Sequence, residues 1–320
     1  MDVKCIDSHF TANAALYNGD CMDVLESIPD GSIGYSIFSP PFSDLYCYSS
    51  SERDMGNCRS HQEFMELFGM LSGSLFRVIA SGRLVSIHCM DIPSMKERDG
   101  VIGLKDFSGE IIRAMTSAGF VYHSRVTIWK DPLVEATRTK ALGLMMKQVI
   151  KDSSMCRVGL PDYVLTFRNP GENAFPIENP TGIVGYAGSN PPSGDGISLM
   201  HNKWRAYASP VWMDIRQTRN LQYRVARDPN DEKHICPLQL DVIERCLALW
   251  SNPGDAVLTP FLGVGSEAYV AVQMRRKAIG IELKPSYFRQ AVKNVQQAEE
   301  TPLGDGEQDM FEGVEMGDIE

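Results

Sequence analysis

From Gly34 onward one pattern recurs along the chain: a short apolar run, a turn, then a stretch with apolar residues at helical spacing. "GYSIFS" is followed by "HQEFMELFGMLSGSLFRVIA", "GRLVSIHCM" by "DFSGEIIRAMTSAG", and "FVYHSRVTIWK" and "DYVLTFR" read as further strands. After Lys233 the alternation resumes with "CPLQLDVIERCLALW" as a helix, then "AVLTPF", "GSEAYVAVQMR", "KAIGIEL" and "PSYFRQAVKNVQQAEE". Strands that alternate with helices are joined by crossovers, so the pattern predicts an α/β fold with a mostly parallel, three-layer sheet. A chain of 320 residues is long enough for one large domain of this kind with an insertion, or for two domains. No internal repeat is visible.

The alternation breaks between its two blocks. Residues 170–196, "PGENAFPIENPTGIVGYAGSNPPSGDG", are dense in Gly and Pro and mark a long loop that opens an insertion. Next, "HNKWRAYASPVWMDIRQTRNLQYRVAR" (201–227) carries six Lys/Arg against one Asp, interleaved with Trp204, Tyr207, Trp212 and Tyr223. Such a mixture suits a phosphate backbone and exposed bases, and equally a cationic helix face packed by its own aromatics. The net charge of −10 argues against nucleic acid only until its distribution is considered. Nine acidic residues and no basic one lie between Glu299 and Glu320, which leaves 32 acidic and 31 basic residues elsewhere; the tail reads as disordered and solvating. No uncharged apolar window long enough to span a membrane and no leader pattern occurs, so a cytoplasmic protein, mature from Met1, is expected. Eight scattered cysteines without a CxxC pair fit reduced thiols; Cys58-x-x-His61 near Cys47 lacks the second ligand pair that zinc needs, and no metal is expected.

Two turns carry the chemistry. "FSPPF", residues 38–42, ends the strand "IGYSIF". Two prolines fix φ and supply no N–H, so the chain leaves the sheet rigid and extended with its carbonyls free to accept. Together with the Ser39 hydroxyl and the Phe42 ring, this turn offers a planar ligand two acceptors at its edge and an aromatic against its face. A structural turn with a neighbouring aromatic fits the same five residues. In the second block, "VLTPFLGVGSEAYVAV" is a strand, a glycine turn and a helix start: Gly263, Gly265 and Ala268 give a G-x-G-x-x-A spacing, and Glu282 at the end of the next strand can hold ribose hydroxyls. These glycines alone fit a dinucleotide cofactor, or mere strand-to-helix packing. The "PF" before them is similar to the turn of S-adenosylmethionine-dependent methyltransferases.

Taken together, "GDCMDVLESIPDGSIGYSIFSPPF" and the later "NPGDAVLTPFLGVGSEAYVAVQMRRKAIGIEL" resemble the DNA amino-methyltransferases, which methylate the exocyclic nitrogen of cytosine or adenine, over residues 16–298. "YSSSERDMGN", "IWKDPLVEATRTKALGLMMKQ" and "KHICPLQL" resemble a narrower group found on phages and mobile elements, which implies a cytoplasm of a bacterial host. The resemblance implies the Rossmann-like S-adenosylmethionine-dependent methyltransferase fold, circularly permuted into the β arrangement with the catalytic turn first. It implies a catalytic half at 1–169, a target-recognition insertion at 170–232, a cofactor-binding half at 233–298 and the acidic tail at 299–320. By the same likeness Ser39, Pro40, Pro41 and Phe42 are catalytic: the serine side chain and the first proline's carbonyl accept from the amine, and the aromatic stacks on a base flipped from the duplex. Phe261, Gly263 and Gly265 are assigned to the methionine part of S-adenosylmethionine and its turn, Glu282 to the ribose, Asp20 to the adenine edge, and His234 and Pro237 to the pocket lining. Asp20 can also cap the helix "MDVLES", and Phe261 can be core.

Arg138 and Lys140, with Lys147, Lys151 and Arg157, read as a phosphate-contacting surface or a solvated helix, and Lys203, Arg205, Arg216 and Arg219 as DNA contacts in the insertion. Tyr46 and Tyr48, in the loop 43–62, can fold over the flipped base or belong to a plain loop. Thr259 departs from the family, which usually has an acidic residue there; Glu267 in the following turn can compensate. Serine before the two prolines is commoner among the cytosine-N4 enzymes, so N4 of cytosine is expected ahead of N6 of adenine. Methylation at ring carbon 5 would need a Pro-Cys thiolate, which this chain lacks. The resemblance implies double-stranded DNA as partner, with a homodimer and a restriction enzyme compatible with the family and no nuclease motif in the chain. A nicotinamide oxidoreductase accounts for the glycines and Glu282 but leaves "SPPF" unexplained; methylation of RNA or a protein glutamine goes with the opposite motif order; a DNA-binding protein without catalysis would explain Thr259.

Overall fold

The computed structural model describes residues 3–42, 54–58, 60–94, 99–101, 103–139, 144–179, 183, 195–223, 226 and 237–301, with backbone alone for 138, 139 and 195–199. Among them a nine-stranded sheet runs through the molecule. Its strands are β1 (Asp7–Phe10), β2 (Ala14–Asn18), β3 (Ile33–Phe38), β4 (Ile79–Cys89), β7 (Val121–Ile128), β8 (Asp162–Arg168), β9 (Val211–Trp212), β10 (Ala256–Thr259) and β11 (Lys277–Glu282). They lie side by side in the order β1-β2-β11-β10-β3-β4-β8-β7-β9. β5 (Ile92–Ser94) and β6 (Gly103–Lys105) form a separate antiparallel pair. The five central strands, β2 to β4, are parallel. β1 is antiparallel at one edge, and β8 runs against both of its neighbours, β4 and β7.

Helices cover both faces, as a sheet with two apolar faces requires. On one side lie α1 (Cys21–Ser27), α2 (His61–Val78) and α3 (Phe107–Ser117), which bury Val24, Leu25, Phe64, Phe68, Leu75, Phe107 and Ile111 against Phe38, Ile87, Leu165, Phe167 and Leu258. After α4 (Pro132–Thr139), α5 (Met146–Lys151) and α6 (Asp195–Ala208), the other side receives α7 (Leu240–Trp250), α8 (Ser266–Gln273) and α9 (Pro285–Glu300). These bury Val242, Ile243, Leu247, Val270, Phe288 and Val295 against Leu16, Tyr35, Ile37, Val164 and Val257. Neighbours such as Val164 and Leu165, or Val257 and Leu258, go to opposite faces because strand side chains alternate. Each fully buried large side chain contributes roughly 1.5–3 kcal/mol, so the two helical layers hold the sheet from both faces, with one core on each side.

The helix starts follow from sequence. Asp20 accepts from the Met22 N–H, Ser60 from the Glu63 N–H and Asp106 from the Gly109 N–H, each at the first turn of its helix. Gly265 opens α8 with φ +92°, and a Cβ there would stand 3.0 Å from that of Ala291 on α9, so the turn admits only glycine without strain.

The segment 170–232 does not stand apart from the sheet in its described portion. β9 pairs with β7, and Trp212 is fully buried in the main core. Arg245 of α7, itself 1% exposed, is paired with Asp214 at 2.8 Å and lies 4.9 and 4.8 Å from the rings of Tyr207 and Trp212. The aromatics read in the sequence as base-stacking candidates thus include two, Tyr207 and Trp212, that clamp a buried arginine.

The central strand β10 comes late in the chain yet sits beside β3. From β10 the chain crosses through α8 to β11 on one side, and from β3 through α2 to β4 on the other. The sheet therefore has a switch point between β10 and β3, and a crevice opens beyond their carboxyl ends, where ligands bind in open α/β sheets.

Candidate active site

A cavity of about 610 Å³ occupies that crevice. Its walls bring together Asp20, the whole turn Ser39 to Phe42, Pro237, Phe261, Gly263 and Glu282, from segments more than two hundred residues apart. Gly265 stands behind, at the first turn of α8. His234 and Lys140, along with Tyr46 and Tyr48, lie outside the described residues, as do residues 302–320 of the acidic tail and the side chain of Arg138, whose backbone belongs to α4.

The glycine wall follows from β10 and β11. Gly263 has φ +56°, and nothing lies within 4 Å of where its Cβ would be, so the backbone faces open space. Its N–H donates to Glu282 Oε2 at 2.7 Å, and the Lys284 N–H donates to Oε1 at 2.8 Å. Each carboxylate oxygen retains acceptor capacity for a second donor. Burial raises the Glu282 carboxyl to about 7, with the two backbone N–H groups pulling the other way. Glu267 in the first turn of α8 is buried and lines the same wall, its carboxyl pushed up to about 8 by burial. The hydroxyl of Ser266, on the same wall, and that of Thr259, at the end of β10, are buried without a partner among the described residues. Phe261 is both wall and core, 5.7 Å from the ring of Phe38, and Asp20 both caps α1 and faces the cavity.

The opposite wall is the Ser-Pro-Pro-Phe turn. Pro40 and Pro41 are buried, and Phe42 is seated 6.2 Å from Phe107 of α3. Ser39 Oγ lies 3.1 Å from His88 Nδ1 and 3.3 Å from the His88 carbonyl. On the far side of that imidazole, Nε2 is 3.4 Å from Asp162 Oδ2, and Lys130 Nζ donates to Asp162 Oδ1 at 2.6 Å. Burial opposes ionisation of Asp162, but His88 and then Lys130 outweigh it and hold the carboxyl at about 2. His88, Lys130 and Asp162 all line the cavity, and none was given a role from the sequence, although Lys130 lies in the run "IWKDPLVEATRTKALGLMMKQ". One signal was available: Phe38 is level with Ile87 in parallel strands, so the next residue of β4, His88, falls beside Ser39.

The basic residues of the insertion separate by environment. Lys203 lies on α6, 5.9 Å from the Tyr207 ring, and Arg205 is exposed on the same helix. Arg216 meets Asp241 with its guanidinium at 2.7 Å while leaving 46% of its side chain exposed, whereas Arg219 is largely covered and meets both Asp241 and Glu244. Elsewhere His61 is committed to Glu110 at 2.6 Å, and no cluster of His, Cys, Asp and Glu among the described residues could hold a metal. No helix among them is long and apolar enough to cross a membrane.

Comparison with known proteins gives this geometry its context. The type II methyltransferase M.Cfr9I of Citrobacter freundii is 24% identical over 296 residues, covering 88% of each chain. M.BglII of Bacillus subtilis is 26% identical across 85% of this chain and 66% of its own. Among solved structures, TTHA0409 of Thermus thermophilus, described as a DNA modification methylase and complexed with S-adenosyl-L-methionine, superposes with a TM-score of 0.62 at 21% identity, covering 88% of this chain and 93% of that one. The PvuII DNA methyltransferase, described as cytosine-N4-specific, does so with 0.59 at 19% identity over 91% and 92%. The fold is the permuted methyltransferase fold that the motif order implied. The family model described as "DNA methylase" matches residues 35–293, and the chain belongs to this N6/N4 DNA methylase family.

Proposed function

We propose that the protein transfers a methyl group from S-adenosylmethionine to the exocyclic amine of a base flipped out of duplex DNA, with N4 of cytosine as the target. The carrying observation is that the Ser39 to Phe42 turn and the Gly263 turn face each other across one cavity at the sheet's switch point. The cavity suits this cofactor: Glu282 retains acceptor capacity for two ribose hydroxyls, the open face of Gly263 admits a ligand against the backbone, and Glu267 with the unpartnered Ser266 hydroxyl suits a cationic, amine-bearing group. When bound, S-adenosylmethionine supplies an electrophilic methyl group; the protein's own part is to hold the amine and exclude water. Pro237 and Asp20 complete the wall, with His234 assigned by resemblance.

An exocyclic amine is a poor nucleophile because its lone pair is delocalised into the ring. Acceptors fixed where its hydrogens point favour the tetrahedral form, and the rigid prolines keep the Ser39 hydroxyl and Pro40 carbonyl in place before the substrate arrives. Phe42, backed by Phe107, supplies the stacking face. The serine at position 39, together with the fold shared with the cytosine-N4-specific PvuII enzyme, favours cytosine over adenine. Residues 170–232 are assigned to target recognition, with Arg138, Lys140, Lys203 and Arg205 on phosphates and Arg216 reaching DNA by its exposed edge; Arg219 would have to share its carboxylate partners.

The test is to incubate the protein with unmodified genomic DNA and S-adenosylmethionine, digest to nucleosides and quantify N4-methylcytosine and N6-methyladenine by mass spectrometry, with Ser39→Ala/Phe42→Ala as control. N4-methylcytosine that disappears in the control is the expected result. N6-methyladenine would keep the chemistry and overturn the base; neither product from protein that binds the cofactor would sink duplex-DNA methylation.

A further inference from the structure

The Ser-Pro-Pro-Phe turn explains how an amine is held but leaves a proton unaccounted for. Methyl transfer forms a nitrogen–carbon bond while the carbon–sulfur bond breaks with its electron pair left on sulfur. The nitrogen then bears a positive charge and both of its original hydrogens, one of which must leave. The serine hydroxyl can pass a proton on but, being a very weak base, cannot keep it.

Behind that hydroxyl the fold has placed an acceptor. His88, 8% exposed at the end of β4, presents Nδ1 to Ser39 Oγ at 3.1 Å, and its Nε2 points toward Asp162 Oδ2 at 3.4 Å without an aligned hydrogen bond. A histidine that merely filled the core would have both nitrogens satisfied or face apolar neighbours. This one lines the cavity between a hydroxyl and a carboxylate. The ionised Asp162 favours the tautomer with hydrogen on Nε2, which leaves the Nδ1 lone pair for Ser39. Lys130, at 2.6 Å from the other oxygen, fixes the carboxylate in position.

We propose that His88 is the proton acceptor of the reaction, positioned by Asp162 and Lys130 and acting through Ser39. As the N–CH₃ bond forms, one amine hydrogen passes to Ser39 Oγ while the Ser39 hydroxyl hydrogen passes to His88 Nδ1. The products are the neutral methylamino base, a restored serine and an imidazolium facing Asp162; the imidazolium later returns its proton to water. The proposal rests on methylation of an exocyclic amine. The charged groups nearest the imidazole are Asp162 at the start of β8 and, through it, Lys130 beyond β7; Glu63 of α2 lines the same cavity, and Asp91, two residues past the end of β4, is turned to the Ser108 N–H of α3. Asp162 stabilises the imidazolium, Lys130 opposes it, and the ion pair between them leaves the carboxylate as the nearer influence.

Two measurements test the assignment. The first is single-turnover methylation as a function of pH with wild type, His88→Gln and Ser39→Ala. The wild-type rate constant should fall on the acid side with one titrating group. His88→Gln should lower the plateau by about 10²–10⁴-fold, the usual yield of a positioned base, and lose that acid limb, with affinities for DNA and cofactor kept within about threefold, a change worth less than 1 kcal/mol. An unchanged acid limb or plateau in His88→Gln overturns the proposal. Absence of methylated nucleoside from wild type at every pH instead overturns the amine-methylation reading on which it rests, and the proposal with it. The second measurement, made without DNA or cofactor, follows the histidine ring resonances by NMR, with His88 identified by its loss in His88→Gln. Asp162→Asn should move the His88 ring resonances away from those of the Nε2–H tautomer, and Lys130→Gln, which unfixes the carboxylate and remains informative if the asparagine variant fails to fold, should shift them as well. His88 ring resonances indifferent to both would show that no relay exists.

Discussion

The two walls of the cavity have opposite electrostatics. On the Ser39 wall the charges are complete within the protein: Asp162 is held at about 2 because His88 and Lys130 outweigh the cost of burying it. On the glycine wall burial prevails, and Glu282 and Glu267 are raised to about 7 and about 8. No basic side chain among the described residues bonds to Glu267. One wall is organised before anything binds; the other retains acidity that a hydroxyl-rich, cationic ligand can draw on. A proton-accepting side and a cation-accepting side, set against each other, are what transfer of a methyl cation from sulfur to an amine requires.

The sharpest way to break this comparison is Asp162→Asn. Removing one partner of a buried pair leaves Lys130 without its counter-charge, and such losses cost about 3–5 kcal/mol. The expected outcome is a large fall in the denaturation midpoint at neutral pH, read by urea titration. Because the Asp162 carboxyl is depressed from 3.8 to about 2, its stabilisation is fully present above about pH 4 and is lost as pH falls through 2. The variant should therefore be no less stable than wild type near pH 2 and should fall behind as pH rises above it.

Glu267→Gln should do the reverse. A carboxyl raised from 4.5 to about 8 keeps its proton in the folded protein while the unfolded chain ionises, so wild-type stability declines as pH climbs from 4.5 to 8. The glutamine variant should escape that decline and gain over wild type above pH 8 in the unliganded state. Thermal midpoints across pH 5–9 would show it, and a parallel decline in both proteins would remove Glu267 as its source. On the same wall, Glu282→Gln should weaken binding of S-adenosylhomocysteine about 10- to 100-fold, the worth of charge-assisted hydrogen bonds, measured by calorimetry.

The glycine wall was legible in sequence because its constraints are local. Gly263, Gly265 and Glu282 are fixed by strand, turn and helix within twenty residues, and the prolines at 40 and 41 declare their geometry by themselves. The relay behind Ser39 was not legible, since Lys130 and Asp162 reach His88 only through the reversed strand β8, which the chain inserts between β4 and β7. Asp162 read as nothing more than the start of "DYVLTFR". The N-terminal strands β1 and β2 were missed for another reason: "DSHF" and "AALYN" are short and lack clean alternation, and the sheet supplies their order by pairing β2 with β11. In the insertion, composition overstated the aromatics available for bases, because Tyr207 and Trp212 enclose Arg245.

The smallest expected effect concerns the same insertion and separates cations that serve the fold from those that serve the substrate. Arg205 is exposed, whereas Arg219 lies against Asp241 and Glu244, and a guanidinium already neutralised has less charge to offer a phosphate. Arg205→Ala should leave the thermal midpoint unchanged and reduce the slope of log affinity against log salt by about 1, the signature of one lost phosphate contact. Arg219→Ala should do the opposite, since it leaves the buried Asp241 with fewer partners: a lower thermal midpoint with the salt slope retained. Duplex binding between 50 and 200 mM salt, roughly the range over which phosphate contacts dominate affinity, measures both. If instead Arg219→Ala changed the slope and Arg205→Ala did not, the DNA would have to approach along the Asp241 edge of α7, and the ion pairs there would be the protein's resting arrangement rather than its DNA-bound one.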